Sequence, residues 1–315
     1  MKTVFIINKN AGQKKEVENL IRKIPETAEV YFTKCKGDAT RFVKEYCENY
    51  GPARFIACGG DGTINEVVNG VLSCDGAESG VVPVGTGNDF VRNFSDCDFF
   101  DVSLQMSCES QEVDVIHYTS YLNGRETGGY GVNMFNIGFD CNVADKKEQL
   151  TFIPGTLAYF VSIFINLIAK KGAEVKIETD GECVHNGKLL LTSVANGCYC
   201  GGGIKSNPLS HIKNGLINVN IVKNISRLRF ISLLPKYMKG THINIKNIEK
   251  IIAVKMCDEI TVTPLNGKMK FCVDGEILST EKIKFEIKPQ KLKFAVPKRK
   301  EHSGYDTKTS ERLGV

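Results

Sequence analysis

Three short segments carry most of the chemistry visible in the sequence. They are Asn8-Lys9-Asn10-Ala11-Gly12, Gly59-Gly60-Asp61-Gly62-Thr63-Ile64-Asn65-Glu66 and Pro83-Val84-Gly85-Thr86-Gly87-Asn88-Asp89-Phe90. Each follows a short β-like run. Glycines in such turns let backbone approach phosphate oxygens closely, and a helix that starts just after them aims unpaired N–H groups and its positive dipole end at the same place. A polyphosphate suits that chemistry. Asp61, in the most glycine-rich turn, would repel phosphate directly, but a magnesium ion between them removes the conflict, because carboxylate and phosphate oxygens both coordinate it. The second segment is neither the GxGxxG dinucleotide fingerprint nor a GxxxxGK loop.

The elements that must position these turns can be read from hydrophobic periodicity. Thr3–Ile7, Ala28–Thr33, Arg54–Cys58 and Gly80–Val84 read as strands, and Gln13–Ile24, Asp38–Asn49 and Thr63–Leu72 as helices. In the last of these, Ile64, Val67, Val68, Val71 and Leu72 share one helix face. Such alternation predicts a parallel sheet flanked by helices, with the three turns along its carboxyl edge. Beyond about residue 119 the period changes to two, as in Ile217, Val219, Ile221 and again Ile283, Phe285, Ile287, the pattern of a β-sandwich. Two helices, Leu157–Ala169 and Leu228–Tyr237, interrupt it. The expected organisation is an α/β domain over 1–118, a β-sandwich over 119–298 whose final strands can pack back on the first domain, and a flexible basic and polar tail over 299–315.

Composition narrows the class. The 315 residues, 42% of them hydrophobic, suffice for two cores, and a net charge of +5 is too modest to indicate nucleic-acid binding. Twelve cysteines without a CxxC pair or an export signal indicate a reducing compartment, hence a cytoplasmic chain. Cys198-Tyr199-Cys200 is the one close pair, and the five histidines have no zinc-like spacing. The apolar run Leu157–Ala169 falls short of the ~20 residues that a membrane span needs. Basic residues gather at Lys291, Lys293, Lys298, Arg299 and Lys300.

Together with four further motifs, the three turns resemble the diacylglycerol kinase catalytic family, and more narrowly the bacterial diacylglycerol kinase-like lipid kinases. Those motifs are Asn136-Ile137-Gly138-Phe139-Asp140, the stretch from Asn196 to Gly203, Asn214-Gly215-Leu216 and Val273-Asp274-Gly275-Glu276. They occur in family order over roughly residues 1–298. The resemblance implies a three-layer α/β nucleotide-binding domain of the NAD kinase/diacylglycerol kinase type, followed by a β-sandwich that holds lipid. It implies ATP and Mg2+ as cofactors and transfer of the γ-phosphate to a lipid hydroxyl, in the first instance diacylglycerol to phosphatidic acid. Asn8, Gly12 and Thr33 match nucleotide contacts, Gly59, Gly60, Gly62, Thr63, Asn65 and Glu66 match the central phosphate-binding turn, and Thr86 continues that set. Asp61 and Asp89 match acidic residues around magnesium and phosphate, and Glu276 matches the proton acceptor.

His211, Asn214 and Leu216 match a structural magnesium site, where relatives usually carry an acidic residue in place of neutral Asn214. Lys9 replaces a frequent proline and would alter the turn or add charge near phosphate. The partner implied is lipid presented at a membrane surface, met by reversible peripheral contact; a homodimer is left open. Three alternatives stay open at this point. One is a kinase for another lipid alcohol, such as a sphingoid base. A second is an NAD kinase, which shares the GGDGT turn but whose GSTAY signature is absent here. The third is a silent nucleotide or lipid sensor, against which the retained Asp61, Asp89 and Glu276 count.

Overall fold

Strand and helix alternate through the α/β half as the periodicity requires: β1 (Thr3–Ile7), α1 (Lys14–Lys23), β2 (Glu29–Phe32), α2 (Asp38–Tyr50), β3 (Arg54–Gly59), α3 (Asp61–Val71), β4 (Glu78–Pro83) and α4 (Val102–Ser107). The computed structural model describes residues 1–12, 14–138, 172–273 and 276–299, with backbone alone at Arg227 and Glu276. The expected helix Leu157–Ala169, the pair Phe139-Asp140 and the pair Asp274-Gly275 lie outside the described residues. Strands β2, β1, β3 and β4 pair in that order and in parallel. All three chemically suggestive turns therefore leave the same edge of the sheet. Helices cover both faces: α2 and α3 bury Val43, Ile64, Val67 and Val68 on one side, and α1 buries Val17 and Leu20 on the other.

The remaining strands are β5 (Ser110–Leu122), β6 (Arg125–Gly131), β7 (Met134–Gly138), β8 (Ala173–Thr179), β9 (Glu182–Ala195) and β10 (Ile217–Lys223). After α5 (Arg227–Met238) come β11 (Ile252–Cys257), β12 (Glu259–Pro264), β13 (Met269–Val273), β14 (Glu276–Thr280) and β15 (Lys282–Ala295). Residues from β5, β7 to β13 and β15 enclose one core, including Phe135, Val194, Val219, Ile221, Phe271 and Phe285. The sheet thus folds over on itself, and Phe135 meets Phe285 edge-on with ring centroids 4.7 Å apart. Period-two burial is clearest at the start of β15, where Ile283, Phe285 and Ile287 point inward. β10 is instead buried on both faces, because Val222 packs under α5 while Ile217, Val219 and Ile221 face the sandwich core.

The two halves are joined by hydrogen-bonded strand. β5 runs unbroken through residue 118, so the expected boundary near Tyr118 falls inside a strand and not in a linker. β15 pairs with β5 along the sandwich, shifts register between Lys288 and Leu292, and then places Phe294 beside Ser79 of β4. The shift is a bulge in which Gln290 takes φ 51°. Asp114 pins it: one carboxylate oxygen accepts the Gln290 amide at 2.8 Å, and the other accepts the Gly215 amide at 2.7 Å.

Candidate active site

The glycines of the three turns are there first of all because the turns touch one another. A Cβ on Gly12, which has φ +62°, would lie 1.8 Å from the Val84 carbonyl oxygen, and one on Gly85 would lie 2.3 Å from the Gly60 Cα. Gly59 is closed off by Thr63, whose Oγ1 would sit 2.2 Å from a Cβ there. Gly62, at the first turn of α3, differs: nothing lies within 4 Å of its Cβ position. It opens on a crevice of about 560 Å³ lined also by Asn8, Gly12, Thr33, Gly60, Thr63, Glu66, Gly85 and Thr86. Most nucleotide-contact residues expected from the sequence are therefore brought to one cavity. Its floor is the N-terminus of α3, the positive end of the helix dipole, where the Thr63 and Ile64 amides donate to the Gly60 carbonyl at 3.0 and 3.1 Å.

Within that floor the polar side chains lock the loops. Asn8 accepts the Asn10 amide at 3.0 Å and donates from Nδ2 to Thr63 Oγ1 at 3.3 Å. Thr33 donates its amide to the Ile7 carbonyl at 3.0 Å, which extends the β1–β2 pairing to the crevice rim. Glu66 accepts the amides of Gly37 (2.8 Å) and Ala39 (3.1 Å) and so caps α2, whose own N-cap residue Gly37 offers no side chain. Removing this cap in Glu66→Ala is expected to lower unfolding free energy by about 1–2 kcal/mol, in line with other lost N-caps, measured by urea denaturation. Asn65 faces away from the crevice and donates to the Tyr130 carbonyl of β6 at 2.8 Å, so its role is to fasten α3 to the second domain.

Asp61 and Asp89 form the acidic end. Asp61 Oδ1 accepts the amides of Asp89 (2.8 Å) and Phe90 (3.2 Å), which start a short 3-10 helix over Phe90–Asn93. Asp89 is 6% exposed and accepts the amides of Gly202 (2.9 Å) and Gly203 (2.7 Å) from the second domain, with Arg92 Nε 3.7 Å away. Each carboxylate also brings an oxygen near Gly87: a Cβ there would stand 2.8 Å from Asp61 Oδ2 and 3.6 Å from Asp89 Oδ2. Both carboxylates thus approach Gly87; Asp89 is already engaged through both oxygens by two amides, as Asp114 is, so Asp61 is the better match for a hard cation such as magnesium.

The loop holding His211, Asn214 and Leu216 is a poorer match for magnesium. The Asn214 side-chain oxygen already accepts the Leu216 amide at 3.1 Å, and the His211 carbonyl accepts the Asn214 amide at 3.4 Å. The neighbouring carboxylate, Asp114, is occupied by the Gly215 and Gln290 amides. Among the described residues no group of three or more His, Cys, Asp or Glu could hold a metal.

Some contributors gave little sequence signal. Lys34, Cys35 and Lys36 form one wall of the crevice. Asp38 fixes that wall by accepting the Lys34 amide at 2.8 Å. Burial works against the Asp38 charge, but the Lys34 amide, Arg41 and Tyr31 outweigh it and hold the carboxyl below its usual range. Asn93 and Asn133 seat the 196–203 stretch: Asn93 Oδ1 accepts the Cys198 amide at 2.7 Å, and Asn133 Nδ2 donates to the Tyr199 carbonyl at 2.8 Å. Lys9 does not add charge at the turn amides; its ammonium lies 4.1 Å from the centre of the Phe32 ring. The side chain of Glu276 is outside what the structure describes, but its backbone opens β14 opposite Val273.

The contrast between glycines gives a test. Gly62→Ala is expected to leave the melting temperature near that of the unsubstituted protein and to weaken nucleotide use about tenfold or more, since a methyl group enters the cavity above the helix amides. Gly85→Ala meets backbone and is expected to cost roughly 2–4 kcal/mol of stability. Thermal melts alongside nucleotide titrations separate the two; equal effects on both readouts would show the distinction to be wrong.

Comparison with known proteins agrees with this geometry. Residues 2–118 match the diacylglycerol kinase catalytic domain, and residues 133–296 match the YegS C-terminal NAD kinase beta sandwich-like domain. The chain belongs to the diacylglycerol kinase-like lipid kinases. It is similar to a diacylglycerol kinase of Bacillus subtilis (strain 168), with 29% identity over 283 residues that cover 86% of this chain and 88% of that one. It is also similar to the lipid kinase YegS of Escherichia coli (strain K12), with 28% identity over 293 residues, 90% of this chain and 91% of that one. In fold it resembles a crystal structure of a Bacillus anthracis diacylglycerol kinase, with a TM-score of 0.68 at 21% identity, covering 94% of this chain and 96% of that one.

Proposed function

We propose that this chain transfers the γ-phosphate of magnesium-ATP to the hydroxyl of a lipid, with diacylglycerol the leading acceptor and phosphatidic acid the product. The observation that carries this reading is the crevice in which three glycine turns meet at the N-terminus of α3 beside the converging Asp61 and Asp89 oxygens. The positive end of α3 at Gly62 suits phosphate oxygens, and Lys34 and Lys36 also line the crevice. When bound, magnesium would neutralise phosphate charge, and Asp61 is the residue better suited to hold it.

The protein's own part is mainly positioning. Asn8, Thr33 and Thr63 fix the turns, while the Asp89 bond to Gly202 and Gly203 sets the sandwich against the crevice. Glu276, by its match to the family, takes the proton of the attacking hydroxyl. Acceptor choice rests on relatives, one of which is named a diacylglycerol kinase and another only a lipid kinase.

The deciding experiment is ATP-dependent phosphorylation across diacylglycerol, sphingoid bases and other lipid alcohols, with NAD as a control. Labelled phosphatidic acid is the expected product. Turnover of NAD alone would overturn the reading, and turnover of another lipid alcohol in preference would reassign the acceptor.

A further inference from the structure

α5 is a helix with a proper inside and an unexpected outside. Its inner face buries Phe230, Leu233 and Tyr237 against Leu190, Leu191, Ile204 and Val222. Ser226 caps it by accepting the Arg229 amide at 3.4 Å. On the opposite face Leu228 is 81% exposed and Ile231 is 50% exposed, one helical turn apart, with exposed Pro235 following on the same stripe. A single exposed leucine is ordinary; two large aliphatic side chains aligned on one helix face are less so.

The charge around that stripe is just as unbalanced. Residues 223–246 contain Lys223, Arg227, Arg229, Lys236, Lys239 and Lys246 and neither Asp nor Glu. Elsewhere on the sandwich lysines are matched by carboxylates, as Lys284 is by Glu259 at 2.8 Å and Lys188 by Glu174 at 3.1 Å. Lys223, Arg229, Lys236, Lys239 and Lys246 are exposed, and none forms an ion pair with a described residue.

We propose that the outer face of α5 is a docking surface for an anionic bilayer, with Leu228 and Ile231 entering the headgroup–acyl boundary and lysine and arginine of the same segment meeting the headgroups. Exposed aliphatic tips and exposed cations on one helix are complementary to that surface in both respects, apolar below and negative above. A nucleic acid fits less well, because the aromatic residues of α5, Phe230 and Tyr237, which could stack on bases, lie on the buried face. The helix is also linked to the catalytic crevice. Its Met238 carbonyl accepts the Lys205 amide at 2.9 Å, and Lys205 follows closely on Gly202 and Gly203, whose amides hold Asp89. The C-terminal end of α5 is thus tied by one backbone bond to the segment that carries Gly202 and Gly203. The proposal rests on the lipid kinase reading for its purpose and on the exposed face for its location.

The test is co-sedimentation of the full chain with vesicles of phosphatidylcholine alone or of equal parts phosphatidylcholine and phosphatidylglycerol. The unsubstituted protein is expected to bind the mixed vesicles and not the neutral ones. Leu228→Ser/Ile231→Ser and, separately, Arg229→Glu/Lys236→Glu are each expected to weaken that binding by roughly tenfold or more, with melting temperatures unchanged. Added salt should weaken binding of the unsubstituted protein much more than that of the charge-reversed variant. Binding undiminished in both variants overturns the proposal, as does loss of binding to a single-stranded oligonucleotide with vesicle binding intact. Phosphorylation of a short-chain diacylglycerol dispersed as monomers should be equal in all three proteins. If that activity is missing from the unsubstituted protein while the vesicle result holds, the kinase reading fails and the docking surface stands; the reverse pattern removes the surface and keeps the kinase.

Discussion

Glu276→Gln is expected to lower diacylglycerol phosphorylation in mixed micelles by about 10²–10⁴-fold, the range associated with loss of a positioned general base, while nucleotide affinity changes little. A lipid alcohol is a poor nucleophile at neutral pH, and glutamine preserves the shape of glutamate without its ability to take a proton. Residue 276 is well anchored for such a role. Its backbone pairs with Val273, and Val273 in turn pairs with Phe135 of β7, both of them buried in the sandwich core. A purely structural role is separable from a catalytic one by the kinetic constants: loss of a proton acceptor lowers kcat with KM for ATP and the melting temperature little changed, whereas a structural defect lowers the melting temperature as well. A glutamine variant as fast as the unsubstituted protein would remove Glu276 from the reaction.

The second large effect concerns stability. Asp114→Ala is expected to cost about 3 kcal/mol, because the buried carboxylate now accepts the part-buried Gly215 and Gln290 amides, and a hydrogen bond to a charged group contributes about 1.5–3 kcal/mol. For a chain of this size that corresponds to a fall in melting temperature of roughly 4–6 °C. Asp114 is fully buried, and its main-chain carbonyl accepts a further bond from Asn196 at 2.8 Å. Its loss loosens the β15 bulge at the place where the ribbon leaves the sandwich and reaches β4. Asp114→Asn keeps one acceptor and should fall between the two. A melting temperature within about 2 °C of the unsubstituted value in the alanine variant would show that the bulge is held by other contacts.

Both predictions draw on features that differ in how far the sequence announces them. The strands and helices of the α/β half were legible because their periodicities are local. The expected helix Thr63–Leu72 is found as Asp61–Val71, and the expected helix Leu228–Tyr237 as Arg227–Met238. Helix α4 and the 3-10 helix over Phe90–Asn93 were not read from the sequence, since each is too short to establish a period. The three glycine turns were legible as neighbours on one sheet edge because each follows a parallel strand, whereas Asn8 and Thr33 were singled out only by the resemblance to a family. The basic wall of Lys34 and Lys36 was not, because lysines in a loop look the same whether they face solvent or a cavity.

The sequence by itself determined that three glycine turns end parallel strands, that a two-period half follows, and that the motifs stand in the order of a lipid kinase. Those properties reside in residue type and short spacing, which backbone geometry translates directly into strands, helices and turns. The tertiary structure alone decided what each side chain in those motifs meets. It is the fold that sets Gly85 against Gly60, gives Glu66 the cap of α2, turns Asn65 towards β6, joins Asp89 to Gly202 and Gly203, and leaves Leu228 and Ile231 uncovered. Contacts between residues so far apart in the chain depend on how strands cross and which faces close on one another, and no local period encodes that.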